Sequence, residues 1–190
     1  MSQPIGVHIH RLVVTIATLC MLAIAWANVS AGGDPLVVHP LPYRVPSAQA
    51  QAHLELRVLN LLNQERAEQG LPPLLPHAGL RSAARAHGVE MFTYGFLSHR
   101  SRDGRSLVQR VSNHEIRART VAENIAYAPD VQTAHAALLD SDGHRRNILS
   151  PLFRLVGIAV IDGGAYGLIV VQDFADAPHG YASRGSTVTR

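Results

Sequence analysis

An α+β fold follows from the order of hydrophobic periods along this 190-residue chain. Segments with helical spacing come first, over residues 48–69, 79–94 and 131–140. Two β-branched runs, 156–161 and 168–174, close the chain around Asp162-Gly163-Gly164, a hairpin signal. Helices followed by a terminal hairpin predict helices packed on a small antiparallel sheet.

The amino terminus stands apart from that domain. Arg11 precedes an apolar run over residues 12–27, and Val29-Ser30-Ala31 supplies small residues at cleavage-site spacing. This is the layout of a secretory signal peptide over residues 1–31, and the run is shorter than the roughly 20 residues that span a bilayer. Cys20, the single cysteine, leaves with the signal, so the exported protein has no disulfide and its core must hold the fold. Prolines 35, 40, 42 and 46 then predict an extended tether over 32–50 with no packing role. The folded domain is expected over 51–176, with a loose polar tail over 177–190.

Within the domain, Leu54, Val58, Leu61 and Leu62 recur at helical spacing, and Gly70 with Pro72-Pro73 stops that helix. Leu80, Ala83, Ala84, His87 and Met91 share a face of the second helix, which Gly95 ends. A polar loop over 100–105 leads to a short helical stretch near 107–111. Glu123 opens a compact apolar turn or strand, and Ala134, Ala137 and Leu138 turn inward from the last helix.

Charge names no partner. All 17 basic residues are arginine, against 14 acids, and the two signs are mixed along the chain, which argues against a nucleic-acid surface. Chemistry concentrates in three separated polar segments: Ser98-His99, Glu123-Asn124-Ile125-Ala126 and Ser141-Asp142-Gly143-His144-Arg145. Two histidines and a carboxylate brought together would make a metal or acid/base site. Each residue also has a structural reading. Glu123 and Asn124 can bond backbone, Ser141 and Asn147 can cap turns, and Arg145 and Arg146 can face solvent or pair with Asp140 and Asp142. His87 reads as a partly buried helix residue, and His114, His135 and His179 as surface residues. The chain carries no Gly-x-Ser-x-Gly elbow, no His-Glu-x-x-His helix and no glycine-rich phosphate cradle.

These segments, taken in order, resemble the bacterial branch of the CAP superfamily, which joins cysteine-rich secretory proteins, antigen 5 and pathogenesis-related proteins. Leu62-Asn63, Glu65-Arg66, Gly70-Leu71 and Leu74 match its opening helix and turn. Phe96-Leu97-Ser98-His99, Asp103-Gly104-Arg105-Ser106, Glu123-Asn124-Ile125-Ala126, residues 141–149, Gly157-Ile158 and residues 172–174 continue the match. The resemblance implies a three-layer α–β–α sandwich and a shallow cleft with two histidines, His99 and His144, and a glutamate, Glu123. Ser141 stands where eukaryotic members carry a second glutamate, so the tetrad is reduced to His-Glu-His.

The resemblance therefore implies a secreted or periplasmic binding protein, monomeric, with no membrane span once the signal is removed. Its ligand would be a small molecule, lipid, peptide or cell-wall component held by His99, Glu123, His144 and Ser141. The alternative is a metal-dependent hydrolase, peptidase-like or cell-wall-directed, in which His99, Glu123 and His144 are the catalytic candidates. Zinc is the candidate cofactor, with His99 and His144 as its ligands and Glu123 as a third ligand or an outer acceptor.

Overall fold

The computed structural model describes residues 38–176 apart from 115 and 117. The expected signal peptide and tail, with Cys20 and His179, lie outside the described residues. The elements run β1 (His39–Pro40), β2 (Gln49–Ala50), α1 (Ala52–Glu68), β3 (Leu75–Pro76), α2 (Ala78–Tyr94), β4 (Phe96–Leu97) and α3 (Leu107–Ser112). They continue with β5 (Val121–Ala128), α4 (Val131–Asp140), α5 (Asp142–Ile148), β6 (Leu155–Asp162) and β7 (Leu168–Ala175).

The main sheet has the order β2-β6-β7-β5, and β3 adds two residues parallel to β6. Its other pairings are antiparallel, so the α+β class holds. Alternation along the strands separates two apolar faces. Val156, Ile158, Val160, Val170 and Phe174 pack with Val58 and Leu62 of α1, Leu138 of α4 and Ile148 of α5. Ala159, Ile161, Ile169 and Val171 pack on the opposite face with Ala84, Met91 and Phe92 of α2. The sheet is thus a middle layer, and the fold is a three-layer α–β–α sandwich. Burial on both faces explains why β6 and β7 read as continuous apolar runs rather than alternating ones. Each fully buried aliphatic or phenyl side chain stabilises this arrangement by roughly 1.5–3 kcal/mol.

Two glycines set the position of α2. Gly95, at φ 72°, closes the helix through its N–H to Met91 O at 2.9 Å. Gly157 on β6 lies directly beneath the helix start, where a Cβ would sit 2.1 Å from the Leu80 carbonyl carbon. A side chain there would lift α2 off the sheet.

The described part of the segment expected as a tether, residues 38–50, packs instead. His39 and Pro40 pair with Leu97 and Phe96, and Gln49 and Ala50 pair with Asp162 and Ile161. Val45 and Ala48 join the α2-side core, and the Val45 N–H donates to Phe92 O at 2.8 Å. The prolines favour extended backbone without forbidding an edge pairing, and Leu41, Tyr43 and Val45 supply the apolar side chains. Of the turn or strand expected at Glu123, the structure forms the strand: β5 starts two residues earlier, at Val121, and runs for eight residues. The polar segment after Ser141 forms a helix, α5, that apolar spacing did not announce.

Candidate functional site

Glu123 and Asn124 are neighbours on β5, the outer strand of the sheet, so their side chains leave on opposite faces. Each organises polar side chains on one side of the sheet edge. On the α2 side, Glu123 Oε1 meets His99 Nδ1 at 2.8 Å and Oε2 accepts from the Arg110 guanidinium. Arg110 also donates to the His99 carbonyl at 2.9 Å, so one guanidinium holds both the carboxylate and the backbone of the histidine. On the α5 side, Asn124 Nδ2 donates to His144 O at 3.1 Å and to Gln172 Oε1 at 3.0 Å, while Asn147 Nδ2 donates to Asn124 Oδ1 at 2.9 Å.

Electrostatics fixes the orientation of His99. Burial pushes the Glu123 carboxyl up, but the Arg110 charge, the His99 hydrogen bond and the charges of His87 and His99 outweigh it. The group stays ionised, well below the usual carboxylate range. An ionised Glu123 only accepts, so His99 Nδ1 carries the hydrogen and Nε2 is the second ring nitrogen left for another partner. The His99 side chain is 35% exposed while that of Glu123 is fully buried, so the histidine alone offers this pair to solvent.

His144 is buried on α5, and burial together with the nearby His99 charge pushes its pKa down to about 4. It is therefore neutral at pH 7. Its Nε2 is buried with no hydrogen-bond partner among the described residues, and so is the Ser141 hydroxyl. Ser141 begins α5 but its side chain makes no cap hydrogen bond, and Asn147 binds Asn124 instead of capping. Arg145 and Arg146 face solvent.

The remaining histidines divide. His87 is buried, as expected, with Nε2 2.8 Å from Ser98 O and Nδ1 3.3 Å from Glu90. His114 is exposed. His135 corrects its expected surface position: it is 8% exposed between α4 and α1, with Nε2 3.5 Å from Glu65. Two functional neighbours escaped the sequence reading, Arg110 and Asp173. Arg110 sits at an i+3 position after Leu107 on a short helix, which reads as an ordinary solvated arginine. Asp173 lies inside an apolar strand, and a lone acid there was the available signal. A cavity of about 180 Å³ opens beside this network, lined by residues including His87, Glu90, Arg105 and Arg110, and not by His99, Glu123 or His144.

The donors do not fit a resident zinc ion. Glu123 is fully buried behind His99 and Arg110, which leaves two imidazoles where a catalytic zinc takes three protein ligands. Among the described residues no three His, Cys, Asp or Glu side chains are grouped to hold a metal.

A three-layer sandwich with a His-Glu pair and a second histidine meeting over the edge strand defines a CAP-type, or SCP, domain. The model of the cysteine-rich secretory protein family matches residues 59–174, and the chain belongs to that family. It is 33% identical over 112 residues to the uncharacterized protein YkwD of Bacillus subtilis, a match covering 58% of this chain and 44% of YkwD. An extracellular SCP-domain protein of Bacillus anthracis superposes with a TM-score of 0.60 at 26% identity, covering 66% of this chain and 41% of that one. An outer surface protein of Borrelia burgdorferi superposes with a TM-score of 0.62 at 15% identity, covering 69% of this chain and 99% of that one, and shares the fold. The match thus spans less than half of YkwD and of the Bacillus anthracis protein. No helix among the described residues is long and apolar enough to cross a membrane.

Proposed function

We propose that this chain is an exported CAP-domain protein that binds a ligand carrying hydrogen-bond donors, with His99 Nε2 as the principal acceptor. One observation carries the reading: Glu123 bonds His99 Nδ1 and Arg110 inside the protein, which leaves Nε2 as the open nitrogen of a ring that is 35% exposed. His144 and the Ser141 hydroxyl are buried on the α5 side, so His99 is the side chain of the three that a ligand meets first. Peptides, lipid headgroups and cell-wall glycopeptides all present the amide or hydroxyl donors that such a surface takes. Export rests on the apolar run over residues 12–27.

Co-sedimentation with purified peptidoglycan and with phosphatidylglycerol vesicles tests this, comparing the parent with His99→Ala. The expected result is binding to one of the two probes, lost by at least tenfold in His99→Ala at an unchanged circular dichroism spectrum. Equal binding by parent and variant, or no binding to either probe, overturns the reading. A hydrolase would use the same His99 as general base with Glu123 behind it. Among the described residues no third metal donor joins the two histidines, so binding is the reading the geometry supports best.

A further inference from the structure

Behind the Glu123-His99 pair lies a second carboxyl group. Asp173 on β7 is the register partner of Glu123 on β5, so the two side chains leave the sheet on the same face. Such partners have Cβ atoms roughly 4.5–5.5 Å apart. Asp173 has no exposed surface, and neither of its oxygens meets a donor among the described residues. Its partner on the other side, in β6, is Gly157, which contributes no side chain and is covered by the backbone of Leu80 and Arg81. An ionised Asp173 would therefore have neither water nor a donor, beside a carboxylate already ionised.

We propose that Asp173 is a positioning residue of the cleft: a buried carboxylic acid whose O–H donates to Glu123 and holds that carboxylate against His99 and Arg110. A carboxylate has about four lone-pair sites, so Glu123 can accept from His99, Arg110 and Asp173 together. The charged and titratable groups around the pair are few. Glu123 on β5 and Arg110 on α3 act on Asp173, while His87 on α2 and His99 in the loop after β4 act on Glu123. Burial and then the Glu123 charge push Asp173 well above the usual carboxylate range, with Arg110 opposing, and the register sets the two residues side by side on one face of the sheet. Two carboxyl groups this close do not both ionise, and environment decides which keeps the proton. Arg110 and His99 are bonded to Glu123, so Asp173 keeps it.

The inference deepens the reading of His99 as the outward acceptor, yet its test needs no ligand. Difference infrared spectra of Asp173→Asn against the parent at pH 7 are expected to lose a protonated-carboxyl carbonyl band. Asparagine reproduces the donor without the cost of keeping a proton. Its melting temperature should match that of the parent near pH 4 and exceed it by several degrees at pH 7, because the unfolded parent ionises Asp173 over that interval while the folded one does not. Histidine ¹⁵N spectra should keep the Nδ1–H form of His99 in Asp173→Asn and lose part of it in Asp173→Leu. Absence of the carbonyl band in the parent, or a lower melting temperature of Asp173→Asn at pH 7 than at pH 4 relative to the parent, overturns the proposal. Failure of the ligand-binding experiment alone would leave these readouts unchanged, so the two readings fail separately.

Discussion

Among the described residues of this domain two arginines are buried, and they do different work. Arg66 on α1 has no exposed surface and meets only neutral oxygens: Nε donates to Pro72 O at 2.9 Å, and the terminal nitrogens donate to Ile148 O, Ser150 O and Phe153 O at 2.7–3.3 Å. It gathers three chain segments around one planar group. Arg110 is nearly as buried but spends one nitrogen on a carboxylate, Glu123, which in turn orients a half-exposed histidine. Burial of a guanidinium is therefore no mark of function. What separates the two is whether the partner network ends inside the protein, as with Arg66, or reaches a side chain at the surface, as with Arg110.

Substitutions can break or sharpen this contrast. The largest effect is expected for Arg66→Ala, which strands four carbonyl acceptors and leaves a cavity. A loss of about 4 kcal/mol or more is the expected result, measured by urea unfolding, and retained stability would show that the carbonyls find other donors. Arg110→Met leaves Glu123 charged and buried without its main partner, at a cost of roughly 3–5 kcal/mol. It should also disorder the His99 ring, which Arg66→Ala in any folded fraction should not. Comparison of His99 ¹⁵N spectra in the two variants checks that distinction.

His144 gives the next effect through pH. Its folded pKa lies below the unfolded value, so the folded state binds fewer protons, and stability is complete above pH 6.5 and falls as pH drops toward about 4. The contribution is at most about 3 kcal/mol, and His144→Asn should flatten the fall in melting temperature between pH 6.5 and 4. An unchanged pH profile would mean that His144 reaches solvent. The smallest effect is expected for Ser106→Ala. Ser106 and Gln109 form a capping box at the start of α3, the helix that carries Arg110, so its loss should cost about 1 kcal/mol. Ligand binding should weaken in step with it only if α3 rigidity matters to the site.

The opening motif shows how much of this was legible. Asn63 Nδ2 donates to Leu74 O at 3.1 Å and its Oδ1 accepts from Leu74 N at 2.8 Å, so Asn63 and Arg66 tie α1 to the turn after it. The sequence marks both residues as a pattern without saying that one is an internal clamp. Likewise the tetrapeptide at Glu123 is recognisable in the chain, but its logic is not. Adjacent residues on an edge strand point to opposite layers, and only the strand assignment shows that Glu123 serves His99 while Asn124 serves the α5 backbone.

By itself the sequence determined the helices α1 to α4 and the closing strands β6 and β7, the sandwich through its family resemblance, and the three polar segments of the candidate site. Periodicity is a local property, and helical and strand spacings are written within a few residues of each other. Tertiary structure alone decided that residues 39–50 pack as part of the domain, that His135 is buried and that Arg110 and Asp173 flank Glu123. Those facts depend on pairings between residues 13–50 positions apart, or more, in the chain. Register across β5 and β7 places a second carboxyl beside the first, and burial then makes one an anion and the other an acid. No pattern along the chain carries that information, because it arises only when the strands pair and water is excluded.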